Sequence, residues 1–182
     1  MATGKTVLIL GGGVGGIIAA TRLRQRLARE HRVVLVEKET DHVFSPSLLW
    51  LMLGERSPGQ ISRPIAALTK RGIELIRGSI ERIDPATRTL RVNGADMVGD
   101  YMVVALGAEL APELIPGLAE AGHNFYTLAG SQSLRSALPK LSQGRLVVLV
   151  AAMPFKCPAA PNEAAMLLEY DCRRRGVRKD VP

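Results

Sequence analysis

Short uninterrupted apolar runs alternate along this chain with segments of helical periodicity. Residues 6–10 and 33–36 are apolar runs, and the pattern changes to a period of about 3.6 in residues 14–29 between them. There Ala20 and Leu27 share one face that can pack on a sheet, while arginines face water. Because buried parallel strands are continuous apolar runs, this region predicts a strand–helix–strand unit with a right-handed crossover.

The middle of the chain predicts shorter elements separated by turns. Residues 41–60 are loop-like at both ends, and their apolar centre can form a helix at residues 48–53. A helix is predicted over residues 61–69, with Pro64 in its first turn. Three further strands are predicted, of which the last two are joined by a turn as in a β-meander. They are residues 73–76, 80–83 and 89–92.

The C-terminal part repeats the strand–helix order of the N-terminus. An apolar strand is predicted at residues 101–105, and a helix at residues 131–138 after a proline-containing connection. A strand at residues 145–150 and a helix at residues 161–175 follow, which resembles the beginning of a second strand–loop–helix unit.

The predicted fold is therefore α/β in two parts. Residues 1–112 form a Rossmann-like dinucleotide-binding domain with a parallel sheet and a β-meander. Residues 113–182 form the start of a second, degenerate dinucleotide-type domain.

The composition is that of a globular protein, with 47% hydrophobic and 23% charged residues. Lys and Arg (24) exceed Asp and Glu (17), but they are spread along the chain, and only 4% of residues are aromatic. We therefore expect no nucleic-acid partner. We also expect no membrane-spanning run, no signal peptide and no metal site, which favours the cytoplasm or the membrane periphery.

The first predicted strand leads into a glycine-rich loop of the kind that binds dinucleotides. Gly11, Gly13 and Gly16 have G-x-G-x-x-G spacing, which permits a tight turn, close approach of a pyrophosphate and close helix packing. The phosphates then lie on free N–H groups at the helix N-terminus. Glu37 ends the next strand, where it can bind ribose hydroxyls and disfavours a 2′-phosphate as in NADP. The loop alone leaves FAD and NAD open.

The second strand–loop–helix unit carries a thiol instead of glycines. Residues 151–161 contain no glycine, and proline supplies no N–H, so this loop is not expected to bind NAD in the usual way. Cys157 lies near the start of the last predicted helix and beside Lys156, a setting typical of reactive cysteines. Cys172, inside that helix, is expected to be a packed side chain.

Further segments resemble flavoproteins that have two dinucleotide-binding domains. Residues 99–108 resemble the strand of that superfamily that passes near FAD, with Leu106 where threonine is usual. Residues 154–165, above all the Phe-Lys-Cys-Pro-x-x-Pro run, closely resemble the cysteine segment of sulfide:quinone oxidoreductases and of the flavoprotein subunit of flavocytochrome c sulfide dehydrogenases. The residues that resemble the flavin-side loop of these families are Phe44, Pro46, Ser47 and Trp50.

The resemblance covers nearly the whole chain, as the N-terminal portion of the family. It implies an FAD-dependent oxidoreductase that oxidises sulfide, or a related sulfur compound, through a redox-active cysteine matched by Cys157. It further implies a quinone or a cytochrome as electron acceptor and, in full-length members, peripheral membrane contact. The positions that match FAD-binding residues are Gly11, Gly13, Val14, Gly15, Gly16, Glu37, Lys38, Pro46, Ile80, Ala105 and Gly107.

Two other functions stay open. An NADH-dependent flavin or quinone reductase is disfavoured by the glycine-free loop at residues 151–161. A non-catalytic nucleotide-binding or partner-binding relative is favoured by length, since family members run well beyond residue 182. We expect either a piece of a longer chain that is inactive alone, or a homo-oligomer or second chain that completes the unpaired sheet edges. His42 is either a plain loop residue or a neighbour of the flavin.

Overall fold

The computed structural model describes residues 4–182, which form two compact units. Unit 1 comprises the residues up to Val43 together with Ser62–Glu109, and unit 2 comprises Phe44–Ile61 together with Leu110–Pro182. Residues 1–3 lie outside the described residues. They are part of the N-terminal segment for which we expect no signal peptide.

Unit 1 is built from a parallel sheet, a short two-stranded sheet and a three-stranded meander. The strands within the described residues are β1 (Thr6–Leu10), β2 (Arg32–Glu37), β3 (Asp41–Val43), β4 (Ser62–Pro64), β5 (Glu74–Arg77), β6 (Ile80–Asp84), β7 (Thr89–Val92), β8 (Ala95–Val98) and β9 (Tyr101–Val104).

The parallel sheet has the strand order β5-β2-β1-β9. Leu8 pairs with Val34 on one side and with Met102 on the other, so β1 lies between two parallel neighbours. Four consecutive residues of β1 and of β2 are buried, as expected for strands covered on both faces. The predicted α/β fold with a parallel sheet and a meander is confirmed.

Alternate side chains of β1 and β2 enter two different cores, because successive side chains of a strand point to opposite faces. On one face Ile9 and Leu35 pack with Ala20 of the following helix. On the other face Leu8 and Val34 pack against the meander. The sheet is therefore covered by a helix on one side and by the meander on the other.

The helices are shorter than the sequence pattern predicts at several ends. The α-helices within the described residues are α1 (Val14–Arg26), α2 (Leu48–Met52), α3 (Pro58–Ile61), α4 (Leu118–Ala121), α5 (Leu128–Ala137) and α6 (Ala160–Arg174). The 3-10 helices are Ser45–Ser47, Ile65–Arg71, Pro112–Leu114 and Leu138–Lys140.

Unit 2 has its own helical core. Leu49 and Met52 of α2 pack with Leu138, and with Ala164 and Leu168 of α6. The buried carboxylate of Asp171 accepts hydrogen bonds from Arg174, the last residue of α6, and from Arg175, which follows it, and these bonds compensate its burial. No helix within residues 4–182 is long and apolar enough to span a membrane.

The predicted helix over residues 61–69 is wrong. Ser62–Pro64 instead form β4, which pairs antiparallel with β3, and a 3-10 helix follows at Ile65–Arg71. Pro64 lacks an N–H and lies opposite Asp41 in a two-stranded sheet, where an unpaired edge tolerates proline.

The third strand of the meander was not predicted. It begins with Ala95 and Asp96, two residue types that are depleted in strands. The signal that identifies it is the turn before it, since Asn93 and Gly94 both have positive φ, as the favoured two-residue hairpin turn requires.

The prediction of a strand at residues 145–150 is also wrong. Among the described residues this segment has no ladder partner, although its side chains keep strand-like alternation. Leu146 and Val148 pack on the core of unit 2, whereas Val147 is 68% exposed and Leu149 is 65% exposed. An apolar run becomes a strand only when a neighbouring strand takes up its backbone hydrogen bonds.

The end of α1 depends on one buried cation. Arg24 donates to the carbonyl oxygens of Leu27 (2.9 Å), Ala28 (2.6 Å) and His31 (2.6 Å), which lie just beyond the helix. Leu27 is the C-cap of α1, where a helix leaves carbonyl groups without partners. The Ala28 carbonyl also accepts a hydrogen bond from His31 N–H at 3.1 Å.

We expect Arg24→Met to lower the free energy of unfolding by about 2 kcal/mol, because it removes the hydrogen bonds that the Leu27 and His31 carbonyl groups accept from Arg24. Arg26→Met on the exposed side of the same helix is the control and should change it by less than about 0.5 kcal/mol. Chemical denaturation followed by circular dichroism measures both values, and equal values for the two variants would contradict the capping role.

Candidate functional site

The glycine loop lies where three parallel strands of unit 1 end. Gly11 follows β1, Glu37 is the last residue of β2, and Ala105 follows β9. Backbone hydrogen bonds tie these ends together, from Gly11 N–H to the Val36 carbonyl (2.9 Å) and from Ala105 N–H to the Leu10 carbonyl (2.8 Å). Open α/β sheets bind their ligands at this carboxyl edge.

Two of the three motif glycines are required by the fold itself. Gly11 has φ +99°, and a Cβ there would lie 2.5 Å from the Ala105 carbonyl oxygen. A Cβ on Gly16 would lie 1.8 Å from the Gly11 carbonyl oxygen. The first glycine thus permits the turn, and the last lets α1 pack against the loop.

Gly13 differs, because neither its backbone nor its protein neighbours require glycine. Its φ of −71° and ψ of −175° suit any residue, and a Cβ would meet nothing within 4 Å. Gly13 is the N-cap of the 13-residue helix α1, whose first turn has no side-chain cap and no acidic residue. Open space at an uncapped helix N-terminus fits the pyrophosphate of FAD.

Glu37 is held beside this loop by two backbone amides. One carboxylate oxygen accepts a hydrogen bond from Gly12 N–H, and the other accepts from Glu39 N–H at 2.8 Å. A carboxylate offers about four lone-pair sites, so Glu37 keeps capacity for ribose hydroxyls. The adenosine end of FAD therefore also fits the residues at this edge.

Other predicted positions of unit 1 border the same edge. Gly15 lies in the first turn of α1, where a Cβ would be 3.7 Å from the Cβ of Ala105. Val14 begins α1 and is exposed. Gly107, two residues after Ala105, has φ +74°, which explains the glycine at that turn.

Lys38 and Ile80 lie near Glu37. Lys38 follows it in the chain and is exposed, and its carbonyl oxygen accepts a hydrogen bond from Arg77 at 3.3 Å. The Glu37 carbonyl accepts from Gly78 N–H at 3.1 Å, which brings the start of the meander at Ile80 close to the end of β2.

Pro46 lies in unit 2, in the 3-10 helix Ser45–Ser47 that precedes α2. Phe44 directly precedes this 3-10 helix and Trp50 lies in α2, and their side chains are 52% and 42% exposed.

Gly12 and its contacts were not predicted as part of the site. The Gly12 carbonyl lies 3.2 Å from Nδ1 of His42, and its N–H bonds Glu37. No sequence motif marks Gly12, because its role arises from side chains 25 and 30 positions away.

Cys157 belongs to unit 2 and lies three residues before α6. Its side chain is exposed, and its φ of +54° is uncommon for a residue other than glycine. The Cys157 carbonyl accepts a hydrogen bond from Ala160 N–H at 3.0 Å, which links the cysteine to the first turn of α6. An exposed thiol in a sparsely populated backbone conformation is typical of a functional site.

Tyr126 is a neighbour of Cys157 that no sequence signal identified. Burial raises the pKa of Tyr126, and the negative charge of the Cys157 thiolate raises this pKa further. The buried Tyr126 hydroxyl has no hydrogen-bond partner among residues 4–182.

Cys172 is the packed helix residue that the sequence predicts. It is 4% exposed within α6, and its sulfur lies 3.8 Å from a guanidinium nitrogen of Arg175. Both cysteines are free thiols. No cluster of metal-binding side chains occurs in the described part of the chain.

Known proteins resemble the chain over nearly its whole length. The chain is 32% identical to the sulfide-quinone reductase of Aquifex aeolicus (strain VF5), over 98% of this chain and 42% of that protein. It is 33% identical to an alternative NAD(P)H-ubiquinone oxidoreductase C1 of Arabidopsis thaliana, over 96% of this chain and 38% of that protein. The chain thus spans less than half the length of these relatives.

A solved structure confirms the likeness. The X-ray structure of the sulfide:quinone oxidoreductase from Aquifex aeolicus superposes with a TM-score of 0.85 at 30% identity, covering 98% of this chain and 42% of that one.

The family assignment rests on the segment that contains the glycine loop and the parallel sheet. Residues 5–150 match the family described as pyridine nucleotide-disulphide oxidoreductase, whose members are FAD-binding flavoproteins. The chain therefore belongs to the pyridine nucleotide-disulphide oxidoreductase family.

Proposed function

We propose that this chain is the FAD-binding and cysteine-bearing portion of an oxidoreductase that oxidises sulfide, or a related sulfur compound, and reduces a quinone. The observation that carries the proposal is Cys157, an exposed thiol with φ +54° three residues before α6. The similarity to sulfide-quinone reductases supports it. A cytochrome is the alternative electron acceptor.

In this proposal, the residues at the carboxyl edge of the parallel sheet bind FAD. Gly13 leaves room for the pyrophosphate, Glu37 accepts from the ribose, and Ile80 contacts the adenine through its backbone. The resemblance assigns contacts to Lys38, Pro46 and Gly107 in the same way. We propose domain limits of 1–112 for the FAD-binding part and 113–182 for the second part.

Cys157 is proposed to receive the sulfide sulfur. In net terms, joining a hydrosulfide anion to the Cys157 thiolate would release one proton and two electrons and leave a persulfide anion on the cysteine. FAD, when bound, supplies the acceptor for that electron pair. The chain's own contribution is an accessible thiol whose backbone is joined to α6 by the bond from Ala160 N–H.

The second candidate function is reduction of a quinone by NADH, which the Arabidopsis relative favours. Residues 151–161 argue against it, because the loop before α6 contains no glycine and several prolines. The third candidate is a nucleotide-binding or partner-binding module without catalysis. It predicts that neither sulfide nor NADH changes the absorbance of bound flavin.

The two ends of the glycine motif give the first test. Gly13→Ala should weaken FAD binding about tenfold or more, because its methyl group fills the space left for the pyrophosphate. It should leave stability within about 1 kcal/mol of wild type. Gly16→Ala should instead lower the free energy of unfolding by about 1 to 3 kcal/mol, because its Cβ meets the Gly11 carbonyl. Quenching of flavin fluorescence and denaturant unfolding separate the two effects.

The second test addresses the sulfur chemistry. Purified protein is loaded with FAD and mixed anaerobically with sulfide or with NADH, while the visible absorbance of the oxidised flavin is followed. We expect sulfide to bleach the flavin and Cys157→Ser to slow this by about a hundredfold or more. Cys172→Ala is the matched control, because Cys172 is buried in α6, and it should leave the rate unchanged.

The outcomes of this test separate the three functions. Bleaching by NADH and not by sulfide would favour the quinone reductase, and no bleaching by either would favour the non-catalytic module. Equal rates for Cys157→Ser and wild type would remove the cysteine from the mechanism.

The third test uses Tyr126 to report the charge on Cys157. Because a thiolate nearby disfavours a second negative charge, Cys157→Ser should lower the pKa of Tyr126, while burial still holds it above its ordinary value. A titration of phenolate absorbance in the ultraviolet measures this, with Tyr126→Phe identifying the contribution of Tyr126. An unchanged pKa would mean that the two side chains do not interact.

A further inference from the structure

We propose that His42 is a positioning residue for FAD, because its ring holds the Gly12 carbonyl and thereby directs the Gly13 N–H toward the pyrophosphate. The inference rests on the FAD site proposed above and assigns to it a side chain outside the glycine motif. His42 is in β3 of unit 1, the same compact unit as the glycine loop.

The geometry defines what His42 does. Its Nδ1 lies 3.2 Å from the Gly12 carbonyl oxygen, and the side chain is partly buried. A carbonyl oxygen only accepts hydrogen bonds, so Nδ1 is the donor and carries the proton. The backbone of His42 is held in turn by the pairing of β3 with β4, in which His42 lies opposite Arg63.

The planarity of the peptide group transmits this bond to the next residue. The carbonyl of Gly12 and the N–H of Gly13 belong to one trans peptide unit, in which they point in opposite directions. A carbonyl held by His42 therefore fixes the Gly13 N–H on the opposite side of the peptide. Gly13 is the residue whose surroundings are open, where we place the pyrophosphate.

Glu37 restrains the peptide on the other side of Gly12. It accepts the Gly12 N–H, so two consecutive peptide units are held by two side chains. A run of three glycines, from Gly11 to Gly13, has more conformational freedom than any other tripeptide, and ordering it on binding would reduce affinity. The two side chains order the loop before the cofactor arrives.

The experiment compares donors and non-donors at position 42. His42→Phe keeps a ring without a donor, and His42→Asn places an amide N–H near the position of Nδ1. We expect His42→Phe to weaken FAD binding about fivefold to tenfold, and His42→Asn to stay within about threefold of wild type. His123→Phe, an exposed histidine of unit 2, is the matched control and should bind FAD as wild type does.

A second measurement separates positioning from a general structural role. ADP carries the pyrophosphate, whereas adenosine carries only the base and ribose. His42→Phe should lose affinity for ADP by the same factor as for FAD and should bind adenosine as wild type does. Should His42→Phe fail to fold, His42→Leu provides the donor-free variant.

The proposal is overturned if donor-free variants bind FAD and ADP as tightly as wild type. It is also overturned if His42→Asn is as weak as His42→Phe, or if adenosine binding falls equally. These binding assays contain no sulfide and are independent of the sulfide assay. If the wild-type protein binds FAD but does not react with sulfide, the proposed oxidation is contradicted and the proposed role of His42 is not affected. Wild-type protein that binds neither FAD nor ADP overturns both.

Discussion

The parallel pairing of β1 with β2 and β9 is the constraint on which the rest of unit 1 depends. Because β1 is paired on both sides and buried on both faces, its direction and register are specified by hydrogen bonds and by two cores at once. Parallel strands bring their carboxyl ends to one edge, so Gly11, Glu37 and Ala105 meet although up to 94 positions separate them in the chain. Every proposed contact to FAD in unit 1 follows from that edge.

The glycine loop shows how one motif serves folding and binding with different residues. Gly11 and Gly16 are needed to avoid collisions within the protein, whereas the protein itself does not require glycine at position 13, where we propose that the pyrophosphate binds. Glu37 and His42 then restrain Gly12 between them, so that the flexible part of the loop is held by side chains from two other strands. A loop of this kind combines the close approach that glycine permits with the order that an affinity for pyrophosphate requires.

Unit 2 contains the exposed cysteine and is built from helices, with no strand among its described residues. Its helices α2, α5 and α6 bury a shared core, and the exposed Cys157 lies three residues before α6. The segment at residues 145–150 alternates between buried and exposed side chains without a partner strand among the described residues. The Leu146 N–H donates to the Pro182 carbonyl at 3.4 Å, and this isolated bond does not make a strand ladder.

The sequence by itself determined the elements whose signals are local. Continuous apolar runs identified β1 and β2, glycine spacing identified the dinucleotide loop, and the segment around Cys157 identified the thiol that the proposed function uses. The tertiary structure decided what depends on distant partners. Pro64 is in a strand because β3 lies beside it, and residues 145–150 are not a strand because no other described strand forms a ladder with them. His42 contacts Gly12 because folding brings the two residues together. Local pattern encodes burial and turn geometry, whereas hydrogen-bond partners far apart in the chain exist only after the strands have packed.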